Sequence, residues 1–266
     1  MLLLPLFLII REKEFFYGKN SSGKAVVRRS RGAIAFMNRT FTEIVRKQTR
    51  PYWEGSFLHP FILELQQGQL AKEKFRYYLI QDAYYLHHFS KIYQKVAELT
   101  DNSILREQMN ANGKALAQGE LLIRASFFEE LRITEEEVQN TPIAPTTYHY
   151  VSHMYRQLAE GNAIVTAASL LPCAWLYFEI GQTLQKRKVR SPEPLYQRWI
   201  ETYGNIEASE AIEKECLLLN RLYDESQSKV EQAQMISAFV ISAKMEFSFW
   251  EMAYQLETWP EGILVK

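Results

Sequence analysis

The sequence predicts an all-α fold, a single-domain helical bundle, and three observations carry that expectation. Glycine and proline are scarce, 11 and 9 in 266 residues, where an ordinary chain has about 12% of the two together. From Met37 onward, apolar residues recur three and four apart over long stretches, with no sustained two-residue alternation. Turn chemistry falls between those stretches and seldom inside them.

The first periodic segments are 38–49 and 57–67. Residues 71–100 show the period best, with Phe75, Tyr78, Leu79, Asp82, Leu86, Phe89, Ile92 and Tyr93 on one stripe. The cap cluster Thr100-Asp101-Asn102-Ser103 introduces a helix over 103–131, and Thr134-x-x-Glu137 has the spacing of a capping box. Pro142 and Pro145 precede a helix over 145–160, and the next covers 163–187. Ser191-Pro192-Glu193-Pro194 introduces 194–203. Segments 206–226 and 228–258 complete eight or nine helices around one core.

One proline breaks the rule. Pro172 lies inside the apolar run ASLLPCAWLYFEIG. It has no N–H and clashes with the carbonyl of Ala168, which costs about 3 kcal/mol in an ordinary helix interior. The run therefore holds either a junction between two helices or a kink. A kink would fix Cys173 at an irregular, partly open point beside an unsatisfied carbonyl.

Residues 1–36 have a different character and form a basic leader outside the fold expected over 37–266. MLLLPLFLII is followed by REKE and by the aperiodic, basic GKNSSGKAVVRRSRG. Ten apolar residues span only about 15 Å as a helix, half the hydrocarbon core of a membrane. Nothing basic precedes them, as it would in a secretory signal. An upstream translation start is the favoured reading, against a weak anchor or an unusual targeting peptide.

Charge and cysteine content narrow the function. Lys plus Arg and Asp plus Glu both number 31, giving zero net charge, so nucleic-acid binding gains no support. Two cysteines, Cys173 and Cys216, cannot form a disulfide scaffold and suit a reducing compartment. Cys216, in KECLLLN, reads as a packed core residue. The residues three before the five histidines are Ser56, Tyr84, Tyr85, Thr146 and Tyr150, so the Glu-x-x-His of a di-iron bundle is absent. His149 and His153 are one turn apart but lack the glutamate of a zinc protease. His59 or His87 could in principle ligate a haem, though nothing local singles either out. No phosphate-binding glycine loop or Gly-x-Ser-x-Gly occurs.

Three segments place a reactive polar residue one turn from aromatic rings: Asp82 with Tyr85, Cys173 with Tyr177, and Glu246 with Phe249 and Trp250. A carboxylate on an aromatic face is costly unless paired or exposed. Each pairing is therefore functional or on the rim, and together they suggest a shared pocket.

The strings HPFILELQQGQL, FRYYLIQDAYYLHHFSK, PTTYHYVSHMY, LLPCAWLYFEIG, YQRWIETYG and MEFSFWEMAY resemble, in this order, the thiaminase II (TenA) family, in its cysteine-containing class. The similarity runs from about Met37 to Trp259. It implies a haem-oxygenase-like bundle without haem, cofactor or metal. It also implies a cytoplasmic homotetramer that hydrolyses aminopyrimidines in thiamin salvage, its partners being small molecules with no nucleic acid or membrane. By position, Cys173 resembles the family's nucleophile and Glu246 its catalytic acid/base. Asp82 resembles the carboxylate that holds the pyrimidine's amino group and ring nitrogen. Tyr85, Tyr150, Tyr177, Tyr203 and Phe249 match the aromatic and hydroxyl lining, with Tyr148 a near neighbour of Tyr150.

The implied chemistry is coherent. An ionised Asp82 would accept two hydrogen bonds from a protonated aminopyrimidine edge. Thiolate addition to the ring would make expulsion of a nitrogen leaving group feasible. A carboxylate has the wrong sign to stabilise a thiolate, so Glu246 is expected to transfer protons, with burial raising its pKa toward neutrality. The rival readings are a non-catalytic helical protein that binds a ligand or regulates a partner, and a haem or metal oxygenase on the same fold.

Overall fold

Eleven helices and no strand make up the described residues of this computed structural model, which are 39–117, 121–187, 189–204 and 207–260. The basic leader lies outside them. The helices are α1 (Phe41–Phe57), α2 (Pro60–Gln67), α3 (Lys72–Leu99), α4 (Ser103–Ala115), α5 (Leu121–Leu131) and α6 (Glu135–Asn140). They continue with α7 (Pro145–Glu160), α8 (Ala163–Lys186), α9 (Pro194–Tyr203), α10 (Glu207–Glu225) and α11 (Lys229–Gln255).

The ends follow local chemistry. Thr40 and Glu43 form a reciprocal capping box on α1. His59 Nδ1 accepts from Phe61 N at 3.2 Å to cap α2, with Pro60 at its first position. Asn102, Asn162 and Ser228 cap α4, α8 and α11 through their side-chain oxygens. Gly68 closes α2 at φ 72°, and a Cβ there would stand 2.7 Å from Pro192 Cγ, so glycine is required twice over.

The boundaries differ from the sequence reading in four places. The helix expected over 38–49 continues through Pro51 to Phe57. Its buried stripe of Phe41, Val45 and Thr49 extends to Trp53 and Ser56, and that packing outweighs one lost backbone bond. The second helix starts at Pro60 instead of residue 57. The segment 103–131 divides into α4 and α5. Thr134 caps a short helix not anticipated, yet only half of the capping box forms, because the Glu137 carboxylate pairs with Arg76.

Pro172 does not divide its helix. α8 runs unbroken from Ala163 to Lys186, and Pro172 is buried within it. The junction is thereby excluded, while the carbonyl of Ala168 still has no N–H at position 172 to receive. α8 is long and apolar enough to cross a membrane, but most of its apolar stretch is buried inside the fold.

α8 and α11 make the most extensive helix contact, and α1, α3, α7, α9 and α10 surround them. The centre is aromatic. Trp250 of α11 meets Tyr78, Phe61 and Tyr177 at ring-centre distances of 5.8, 5.6 and 5.0 Å. Trp53 stacks on Phe239 at 6.1 Å and donates through Nε1 to Glu179, which also pairs with Arg46 at 2.9 Å. Rings at these separations add about 0.5–1.5 kcal/mol per pair beyond burial. Three of the aromatic neighbours, Tyr78, Tyr177 and Trp250, lie on the helices that carry the candidate site.

Candidate active site

Five helices supply the residues singled out from sequence, and the fold brings them to one place. α3 carries Asp82 and Tyr85, α7 Tyr150, α8 Cys173 and Tyr177, α9 Tyr203, and α11 Glu246 and Phe249. Asp82, Cys173, Tyr177 and Tyr203 line a cavity of about 380 Å³. The other four join this group through contacts, Glu246 accepting from Cys173. Tyr150 Oη donates to Glu246 Oε1 at 2.6 Å, and the ring of Tyr85 lies 4.8 Å from that of Tyr150 and 6.0 Å from Phe249. The choice between neighbouring tyrosines is also resolved. Tyr150 is 1% exposed, whereas Tyr148 is 51% exposed and faces Trp259.

Glu246 is the electrostatic centre. It is buried, and desolvation raises its carboxyl pKa to about 8, with the nearby Asp82 charge adding to the rise. The Tyr150 hydroxyl and the Cys173 thiol both donate to this carboxyl and partly offset the rise. At pH 7 a group with that pKa is about 10% ionised, so it is mainly an acid, with a minority of base. The surrounding phenols of Tyr85, Tyr150 and Tyr177 are held well above their ordinary value by burial. They remain neutral donors throughout the physiological range.

Cys173 is half-buried, lines the cavity and hydrogen-bonds Glu246. The second cysteine differs. Cys216 packs against the core, and burial pushes its thiol up to about 12, with Glu215 and Glu179 contributing. That shift disfavours its thiolate, the reactive form.

The sequence places Tyr78 only on the apolar stripe of α3 and singles out neither Asn112 nor Glu215. Tyr78 Oη donates to Tyr177 Oη at 3.2 Å, anchoring a ring of the wall. Asn112 and Glu215 line the cavity together. The signal for Glu215 was legible: it sits three residues after Ile212 and four before Leu219, on the buried stripe of α10.

The histidines serve local structure. His59 caps α2 and lies 3.0 Å from Glu251 through Nε2, while His153 meets the Ala238 carbonyl at 3.2 Å. His88 meets Tyr155 Oη at 3.1 Å. Among the described residues no group of three His, Cys, Asp or Glu side chains is arranged to hold a metal ion.

An all-α bundle that holds a thiol, a protonatable carboxyl and a second carboxylate against a tyrosine-lined chamber defines a helical protein built around one small-molecule site. The chain belongs to the TENA/THI-4/PQQC family, whose model matches residues 46–256. It is 37% identical over 224 residues to the aminopyrimidine aminohydrolase of Bacillus subtilis, covering 84% of this chain and 94% of that one. The enzyme of the same name from Helicobacter pylori is 30% identical over 215 residues, covering 80% and 98%. Among solved structures, a TenA homologue from P. horikoshii superposes with a TM-score of 0.73 at 24% identity, over 82% of this chain and 99% of that chain. A Shewanella denitrificans domain described as having a heme oxygenase-like fold gives 0.63 at 16% identity, over 81% and 92%. The expected fold class therefore holds: this chain has the all-α, haem-oxygenase-like architecture of TenA proteins.

Proposed function

We propose that the protein is an aminopyrimidine aminohydrolase of thiamin salvage that works by cysteine covalent catalysis. One observation carries the reading: the Cys173 thiol donates to a buried Glu246 carboxyl beside Asp82, at the wall of a cavity large enough for a flat heterocycle. The curated relatives of the same name support the reaction class.

The substrate is a 4-amino-2-methylpyrimidine carrying an aminomethyl group at ring position 5. Asp82 accepts from its amino group and from the protonated ring nitrogen beside it. That pair orients the ring and draws electrons from it. Stacking on the tyrosine wall adds roughly 1–3 kcal/mol of binding, by analogy with nucleobases. Cys173 Sγ then forms a bond to the ring carbon next to the substituted one, and its proton passes to the Glu246 carboxylate. Addition breaks aromaticity and supplies the electron pair that expels the amine from the exocyclic methylene.

Glu246 delivers its proton to the departing nitrogen, so ammonia leaves neutral. Water adds to the exposed methylene and gives a proton back to Glu246. Rupture of the carbon–sulfur bond restores the aromatic ring and returns that proton to the thiol. The net change is aminomethylpyrimidine plus water to hydroxymethylpyrimidine plus ammonia. With thiamin the quaternary thiazole nitrogen takes the electron pair and leaves neutral without a proton, so the net reaction releases one proton to solvent.

The reading includes a cofactor-free, cytoplasmic homotetramer, and light scattering on the purified chain tests the assembly. The decisive experiment measures ammonia release from aminomethylpyrimidine and thiazole release from thiamin side by side. We expect turnover of the aminopyrimidine that disappears in Cys173→Ser. Turnover retained by that variant would refute the nucleophile, and failure of the wild-type protein on both substrates would refute the reading.

A further inference from the structure

The cavity is longer than the reaction requires. Asp82 and Tyr93 both line it and stand eleven residues apart on α3, about 16 Å of helix. Asp82 belongs to the end that holds Cys173, Tyr177 and Tyr203. The opposite end lies where α4 crosses α3. A Cβ on Gly113 would stand 3.4 Å from Tyr93 Cβ, so Asn112 belongs to that end. An aminomethylpyrimidine held by Asp82 is far shorter than this distance.

A second buried carboxyl occupies the far end. Glu215 is 3% exposed and lines the cavity. Asn112 Nδ2 donates to its Oε2 at 2.8 Å, while Oε1 is buried with no hydrogen-bond partner. An unpartnered buried oxygen is destabilising. The mechanism proposed for Cys173 and Glu246 gives Glu215 no part. Glu215 lines the cavity, and a turn of its carboxyl would present this shielded oxygen to a donor that arrives with the ligand.

We infer that Asn112 and Glu215 form a leaving-group subsite, which takes substrates whose departing nitrogen heterocycle or amine carries a hydroxyl group. This rests on the hydrolase reading and adds to it the part of the substrate that the pyrimidine end does not touch. A hydroxyl suits the site better than a cation. Burial pushes the Glu215 carboxyl up to about 7, so both protonation states are populated near neutrality. A hydroxyl can donate to the ionised form and accept from the neutral one.

The test compares thiamin, whose thiazole carries a hydroxyethyl arm, with deoxythiamin, which lacks that hydroxyl, and with aminomethylpyrimidine. Each is assayed with wild-type protein, Glu215→Met and Glu215→Gln. We expect the wild type to favour thiamin over deoxythiamin by about tenfold in kcat/KM, the effect of one neutral hydrogen bond. Glu215→Met should abolish that ratio, and Glu215→Gln, which keeps an acceptor oxygen, should restore most of it. An unchanged ratio in Glu215→Met, or an equal fall for all three substrates, would overturn the subsite.

Calorimetric binding of thiamin and deoxythiamin to the same proteins separates this proposal from the hydrolase reading. A binding preference lost on Glu215→Met supports the subsite even where hydrolysis fails. Equal binding of both ligands to the wild type overturns it even where hydrolysis succeeds.

Discussion

Replacing Glu246 by glutamine should change how the stability of the whole protein depends on pH. The carboxyl has an ordinary pKa of 4.5, raised in the fold to about 8. Below pH 4.5 it is protonated whether the chain is folded or not. Between 4.5 and 8 the folded state keeps a proton that the unfolded state has released, so stability falls as pH rises through that window. The slope is about 1.4 kcal/mol per pH unit, hence roughly 3 kcal/mol lost between pH 5 and pH 7 from this residue alone.

Glutamine cannot titrate, and its amide oxygen can still accept from Tyr150 Oη. The variant should therefore lose roughly 3 kcal/mol less than the wild type over the same interval. Glu215, raised to about 7, adds a slope of the same sign, but it is present in both proteins and cancels in the difference. Urea unfolding at pH 5, 6, 7 and 8 gives the two curves. Parallel curves would mean that Glu246 titrates as an exposed carboxylate, and its assignment as a buried proton carrier would fall. The same pKa predicts that activity rises with pH toward 8, as the fraction able to take the thiol proton grows.

Four further outcomes are expected. Cys173→Ser should lower kcat by about a thousandfold or more while still binding aminopyrimidine in calorimetry, because a hydroxyl is a far weaker nucleophile than a thiolate. Asp82→Asn should weaken aminopyrimidine binding by about 10- to 100-fold, the loss of a charge-assisted hydrogen bond; unchanged affinity would remove its recognition role. An alkylating reagent should label Cys173 well before Cys216, whose thiol is held near 12, and hydroxymethylpyrimidine should protect it; peptide mass mapping reads the order. Gly181→Ala would place a Cβ 2.4 Å from Gly204 N and 2.5 Å from the Tyr203 carbonyl carbon. It should lower the melting temperature by several degrees and raise KM through a displaced Tyr203.

The helices were legible where one apolar stripe set the pattern, as on α3, and where a cap or a first-turn proline marked the start, as at Pro145 and Pro194. Boundaries failed where packing overruled local rules. Pro51 and Pro172 lie inside helices, because the residues beyond them complete a buried face. Glu137 left its capping partner for Arg76, a contact 61 residues away that no local window contains.

The site was legible as separate pairs one helical turn apart. That Asp82, Cys173 and Glu246 meet follows from how α3, α8 and α11 cross, which spacing along one helix cannot reveal. Tyr78 looked like ordinary core and became a hydrogen-bonding brace for Tyr177. Asn112 and Glu215 come from α4 and α10; Glu215 could be read on the buried stripe of α10, but its meeting with Asn112, 103 residues away, is set by packing.

Cys173 and Glu246 stand on opposite sides of the contact between α8 and α11, the broadest in the molecule. The gap across which the proposed proton transfer would run is thereby fixed by the same seam that closes the core. Loosening one would undo the other, so evolution has little freedom to retune that end of the chamber gradually. The wall built by α4 and α10 lies outside that seam, so a side chain changed there leaves the seam undisturbed.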